Sequence, residues 1–93
     1  MATVTVHLPG LLTSLLGSDD QLTVEAETLQ GVLDALVAAC PKIRVHLFDD
    51  TGAQRQHVLI LFNGQNLRWF QKPAETPVPP DSTLTILQFV SGG

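Results

Sequence analysis

Residues 28–41 read TLQGVLDALVAACP, and this stretch decides the fold. Leu29, Val32, Leu33, Leu36, Val37 and Cys40 recur at i, i+3, i+4, i+7, i+8 and i+11, which lays one continuous apolar stripe along a helix. Gln30, Asp34 and Ala38 take the other side. Thr28 is placed to cap the first turn through its hydroxyl, and Pro41 ends the run because its ring disfavours α geometry at the residue before it. A helix striped in this way must bury that face on something.

The flanking segments supply a sheet. Downstream, residues 57–62 read HVLILF without a charge, and Asn63-Gly64 is the strongest dipeptide signal for a tight hairpin, so a short strand is expected near Leu67–Trp69. Pro73, Pro77, Pro79 and Pro80 make residues 71–82 an irregular connection that no central strand could hold. Residues 83–90 form the last strand. Upstream, Val4, Val6 and Leu8 alternate with Thr3, Thr5 and His7, and Leu22, Val24 and Ala26 alternate with Gln21, Thr23 and Glu25, at the period of two that divides a strand between two faces. Between these two strands, residues 11–16 read as a loop or a single helical turn before the cluster Gly17-Ser18-Asp19-Asp20. The order strand, strand, helix, strand, short strand, long loop, strand is of the α+β class, with one main helix packed across a mixed sheet. Residues 1–90 form one domain and residues 91–93 a flexible tail, with no internal repeat.

Composition narrows the function. Leu, Ile, Val and Phe make up one third of the 93 residues, enough for a folded core. Five Lys and Arg stand against nine Asp and Glu, for a net charge of −4, which argues against nucleic acid and anionic membrane as partners. The single cysteine forms no intramolecular disulfide, as suits a cytoplasmic domain. Residues 1–18 contain no Asp, Glu, Lys or Arg, yet no basic segment precedes them and Pro9-Gly10 interrupts the run, so neither a signal peptide nor a membrane span is expected.

Two strands are apolar on both faces. Val58, Ile60 and Phe62 point one way and Leu59 and Leu61 the other; Leu84 and Ile86 share a face opposite Leu87 and Phe89. A single helix covers one face only. Leu59, Leu61, Leu87 and Phe89 are therefore expected on an exposed patch of the kind that marks a protein interface, unless the proline-rich loop folds over it. Val90 and Ser91 continue that surface toward Gly92 and Gly93, where two residues without side chains would let the terminus thread a narrow channel.

Taken together, the alternating first strand, the helix beginning at Thr28-Leu29, the apolar strand ending Phe62-Asn63-Gly64, the segment Asn66-Leu67-Arg68, the pair Thr76-Pro77 and the strand Thr85-Ile86-Leu87 running into Gly-Gly resemble the ubiquitin-like sulfur carriers. That family includes the small subunit of molybdopterin synthase, the thiazole-synthesis carrier and a cysteine-synthesis carrier. The resemblance implies the β-grasp fold and a protein substrate rather than an enzyme. Gly93 would be adenylated by a ubiquitin-activating-type adenylyltransferase and converted by a sulfur donor to a thiocarboxylate, which a sulfur-accepting synthase consumes. Gly92 would give steric access. The carrier itself would bind no cofactor, ATP being used by the activating partner. Gln88, Phe89 and Ser91 depart from the family ending, in which a proline and small residues precede the glycines. The alternative is a ubiquitin-like interaction module or protein modifier acting through the apolar sheet face.

Three other constellations carry less. Asp50-Thr51-Gly52 matches the aspartic-protease triplet, but it lies in a turn that reads as solvated, whereas two such aspartates must share a proton on a buried loop. His7, His46, His57 and Cys40 lack the close spacing of zinc ligands, so no metal site is expected. Trp69-Phe70 reads equally as a binding anchor or as a lid on the core.

Overall fold

A computed structural model describes residues 2–10, 13–14 and 20–88. Strands β1 (Ala2–His7), β2 (Gln21–Ala26), β3 (Val58–Phe62), β4 (Gln65–Asn66) and β5 (Ser82–Gln88) form one sheet in the order β2-β1-β5-β3-β4. The central pair β1 and β5 is parallel, with Val4 opposite Ser82 and His7 opposite Thr85; the other pairings are antiparallel. The sheet is thus mixed, and helix α1 (Leu29–Ala39) packs across one face of it.

The stripe read from the sequence is the buried one. Leu29, Val32, Leu33 and Leu36 are buried, Val37 and Cys40 lie half-buried at the margin, and Asp34 and Ala38 face out. Thr28 caps the helix, its Oγ1 accepting from Gly31 N–H at 3.1 Å. Gly31 is there for space, since a Cβ would sit 3.2 Å from Ala26 Cβ and 3.3 Å from Thr28 Oγ1. At the far end Cys40 leaves the helical region (φ −140°, ψ 79°), in keeping with the bias against α geometry before a proline.

Beyond it the sequence reading missed a feature. Pro41–Ile43 forms a 3₁₀ turn running into the short helix α2 (Arg44–Leu47), and Ile43 and Leu47, both 0% exposed, close that end of the core. Each such burial stabilises by about 1.5–3 kcal/mol.

The hairpin needs one correction. Asn63 (φ 50°) and Gly64 (φ 84°) both take the left-handed conformation, so the chain reverses at once and β4 begins at Gln65, two residues before the expected strand. Residues Leu67–Trp69 form a 3₁₀ turn instead, because the Asn66 side chain accepts from Arg68 N–H at 2.9 Å and Leu67 drops into the core. The expected helical turn has a counterpart in the helical backbone of Gly10, Thr13 and Ser14. Residues 71–81 are irregular as read, apart from a 3₁₀ turn at Pro73–Glu75. The last strand begins at Ser82, and its expected final residues, Phe89 and Val90, lie outside the described residues, as does the tail 91–93.

Candidate functional site

The face of the sheet turned away from α1 carries the second set of side chains. On β3 the alternation is strict: Val58, Ile60 and Phe62 are buried, while Leu59 and Leu61 are half-buried on the opposite side. On β5 the same side presents Thr83, Thr85 and Leu87, and Leu87 is 38% exposed. The register sets Leu59 directly opposite Leu87 and Leu61 opposite Thr85, bringing the three leucines together. Toward β1 and β2 this face becomes polar, with Thr3, Thr5, His7, Thr23 and Glu25. It is therefore an open surface graded from hydroxyl and charge at one edge to leucine at the other.

The proline-rich loop does not cover it. That loop is tied to the start of α1: Leu29 N–H donates to Thr76 O at 2.9 Å, Val78 N–H donates to Glu27 O at 3.1 Å, and Val78 is buried in the core on the helix side. The first bond also satisfies a helix N–H that has no partner within the helix.

β5 outruns β1 by three residues, since its pairing with β1 stops at Thr85 while its pairing with β3 continues to Gln88, opposite Val58. Phe89, Val90, Ser91, Gly92 and Gly93, the other residues singled out in the sequence, follow from that point and lie outside the described residues. Gln88 shares the parity of Ser82, Leu84 and Ile86, so it belongs to the helix side. Its Oε1 is buried with no hydrogen-bond partner among the described residues. The period of two marks that position in the sequence as a polar residue in a core series.

At the other end of β3, where Phe62 lies opposite Leu84, the chain places an aromatic pair with divided roles. Phe70 packs edge-to-face on Phe62, ring centroids 5.8 Å apart, whereas Trp69 is 72% exposed and is not a lid. Arg55 Nε donates to Val45 O at 2.7 Å, and Arg68 Nη2 donates to Arg55 O at 3.1 Å. The linkage of the two arginines is long-range and leaves no local signal in the sequence.

The protease-like triplet lies in an exposed turn. Asp49, not Asp50, organises it, accepting from Thr51 N–H (2.9 Å), the Thr51 hydroxyl and Ala53 N–H (3.1 Å). The Thr51 hydroxyl, then its N–H, hold the Asp49 carboxyl below its ordinary value of 3.8. Among the described residues, no three His, Cys, Asp or Glu gather as metal ligands, and no helix is long and apolar enough to cross a membrane.

This geometry, a β-grasp sheet with one open face and a last strand leading out of it, agrees with the sequence family. The ThiS family model matches residues 6–93. The chain belongs to the ThiS family. Its fold is similar to that of SAMP1 from Haloferax volcanii (TM-score 0.79, 26% identity, covering 99% of this chain and 100% of that one). It is also similar to the small archaeal modifier protein 1 of Methanosarcina acetivorans (TM-score 0.73, 29% identity, 100% and 98% covered). A third similar structure is CysO from Mycobacterium tuberculosis (TM-score 0.75, 28% identity, 94% and 99% covered). No curated protein sequence matches. As a ThiS-family chain it is a ubiquitin-like sulfur carrier or modifier, a small protein of a kind generally not catalytic itself.

Proposed function

We propose that the chain is a sulfur carrier whose Gly93 carboxylate is activated and converted to a thiocarboxylate by partner enzymes. The observation that carries this reading is the family match, which runs through residue 93 and so includes the Gly92-Gly93 pair. The similarity to CysO and to SAMP1 over nearly their whole lengths supports it.

A carboxylate is a poor acyl donor, so a leaving group must first be supplied. A Gly93 oxygen attacks the α-phosphorus of ATP, the bond from that phosphorus to the bridging oxygen breaks, and pyrophosphate leaves. Hydrosulfide, or its enzyme-bound equivalent, then adds to the acyl carbon and expels AMP, leaving C(O)S⁻ and a proton. No step needs an oxidant. The thiocarboxylate is a strong soft nucleophile that an accepting synthase consumes. ATP belongs to the activating partner, an adenylyltransferase of the ubiquitin-activating type, and the carrier holds no cofactor of its own.

The chain's own contribution is presentation. Leu59, Leu61 and Leu87, with Phe89, Val90 and Ser91, seat the partner, and Gly92 passes the narrow part of its channel. An open apolar surface next to the reacting end lets docking free energy hold the carboxylate in reacting geometry.

Appending one alanine after Gly93 tests the chemistry apart from docking. It moves the carboxylate about 3.5 Å along the chain and adds a Cβ beside it. Adenylation should fall by orders of magnitude, since reacting geometry tolerates errors of about 1 Å, while binding to the same enzyme survives. Equal adenylation rates, with no peptidase present, would show that Gly93 is not the reacting group. The likeness to the modifier protein of Methanosarcina acetivorans supports a second use of the same activated end, transfer to an amine of another protein. Intact mass of candidate acceptors separates the two.

A further inference from the structure

We propose that Arg55, Arg68, Trp69 and Val45 form a second docking surface, near the last described residue of β5, that takes a rim of carboxylates on the protein partner receiving the tail. The proposal rests on the carrier reading, in which some partner must hold residues 89–93.

Position comes first. β4 pairs only with Leu61 and Phe62, and the 3₁₀ turn Leu67–Trp69 that follows it is tied to the segment entering β3 by the Arg68 Nη2 bond to Arg55 O. Arg55 leads into β3, its carbonyl accepting from Val58 N–H at 3.2 Å, and Val58 is the residue opposite Gln88. The surface thus adjoins the end of the sheet at which Val58 pairs with Gln88.

Charge comes second. Each guanidinium is fixed by one N–H to a main-chain carbonyl, Arg55 to Val45 and Arg68 to Arg55. A carbonyl orients a guanidinium without neutralising it, and four of its five N–H groups remain to be used. Among the described residues the one ion pair within 4 Å is Lys72–Glu75 at 3.7 Å, so neither arginine is paired with a carboxylate. The acidic groups of the neighbouring turn are Asp49 and Asp50; the Asp49 carboxylate accepts from Thr51 and Ala53 and feels the Arg55 charge from beyond 4 Å, a weaker influence than those hydrogen bonds, so Arg55 makes no contact ion pair with it. The chain as a whole carries a net charge of −4, so this positive surface is a local exception.

The apolar part comes third. Trp69 at 72% and Val45 at 63% are the most exposed large apolar side chains described, and both adjoin the linked arginines in the chain or through a hydrogen bond. The Trp69 indole N–H has no partner among the described residues. Tryptophan and arginine are the residues most enriched where binding energy concentrates, and pre-oriented arginines lose little freedom on pairing. Two arginines on an acidic chain are too few for a nucleic-acid site, which leaves an acidic protein surface as the occupant.

The test uses the full chain with the activating enzyme that adenylates it, measured as pyrophosphate release against carrier concentration. In low salt, Arg68→Glu and Arg55→Glu should each raise KM about tenfold or more with kcat held within about twofold, and the difference should shrink as salt is raised. Arg55→Lys should restore most of the loss. Trp69→Ser should raise KM about tenfold with little dependence on salt, and its exposure means that folding is not at stake. Lys72→Glu, which makes the same change in net charge elsewhere, should behave as the native chain. Native KM for Arg68→Glu and Trp69→Ser in folded protein would overturn the proposal, as would an equal rise for Lys72→Glu. Loss of the KM effect in the presence of a single-stranded oligonucleotide would mean that nucleic acid occupies the surface instead. Failure of the native chain to be adenylated at all would instead overturn the carrier reading, and is seen before any variant is made.

Discussion

The two faces of this sheet are built from alternate residues of the same strands and have opposite fates. On the helix side Val4, Val6, Val58, Ile60, Leu84 and Ile86 are no more than 2% exposed, closed in by α1, Ile43 and Leu47. On the other side Leu59 and Leu61 are half-buried and Leu87 is 38% exposed, with no element among the described residues laid over them. The difference separates two uses of the same chemistry. Apolar groups on the first face act within the chain and set its stability, whereas those on the second have stabilisation still to gain from another surface.

The comparison breaks most clearly on the helix side. Leu84→Ala should lower the free energy of unfolding by about 2–5 kcal/mol, because the methyl groups are lost and a cavity remains among 0%-exposed neighbours. Urea titration measures it, and a loss below about 1 kcal/mol would show that this face is not the tightly packed one.

A smaller loss, about 1–2 kcal/mol, is expected for Asn63→Ala at the hairpin that fixes the register of both faces. Asn63 holds φ 50°, its Nδ2 donates to Ser82 Oγ at 3.2 Å, and its Oδ1 accepts from Thr83 N–H at 2.9 Å. Asn63→Gly tolerates the backbone but loses both bonds, so its loss should be the smaller of the two.

On the open face the order of effects reverses. Leu87→Asp should change stability by less than about 1 kcal/mol while weakening the binding of an activating enzyme about tenfold. A large drop in melting temperature would place Leu87 in the core instead.

The smallest effect concerns pH. The folded Asp49 carboxyl ionises below its ordinary 3.8, chiefly through the Thr51 hydroxyl, so its contribution to stability is present above that value and is lost as pH falls through the lowered folded one. Asp49→Asn should therefore show a slightly lower urea midpoint than the native chain at pH 7, with the gap closing well below pH 3.8. A gap that stays constant with pH would mean that the turn does not depend on the charge.

What was legible in the sequence was whatever repeats at a fixed spacing. The stripe from Leu29 to Cys40, the alternation on β1, β2 and β3, and the turn at Asn63-Gly64 are local patterns, and each lies where its pattern put it. The two apolar faces of β3 were legible for the same reason. Ile43, Leu47, Leu67 and Val78 were not, because each sits in a turn, short helix or loop too brief to establish a helical or strand period, and is buried by the packing of distant segments. The strand after the hairpin was misplaced because the capping action of the Asn66 side chain on Arg68 outweighs the apolar character of Leu67–Trp69. The leucines of the open face were readable from alternation, but the carbonyl links of Arg55 to Val45 and of Arg68 to Arg55 span 10 and 13 residues and exist only in the folded chain.

The central claim, that the open face serves a reacting end, is tested most directly by the intact mass of the chain after incubation with its activating enzyme, ATP and hydrosulfide. Exchange of one carboxylate oxygen for sulfur at Gly93 should add about 16 mass units, and omitting ATP should abolish the change. An unchanged mass under conditions where the enzyme demonstrably binds the Leu59–Leu87 face would contradict the account, leaving a docking module whose end does no chemistry.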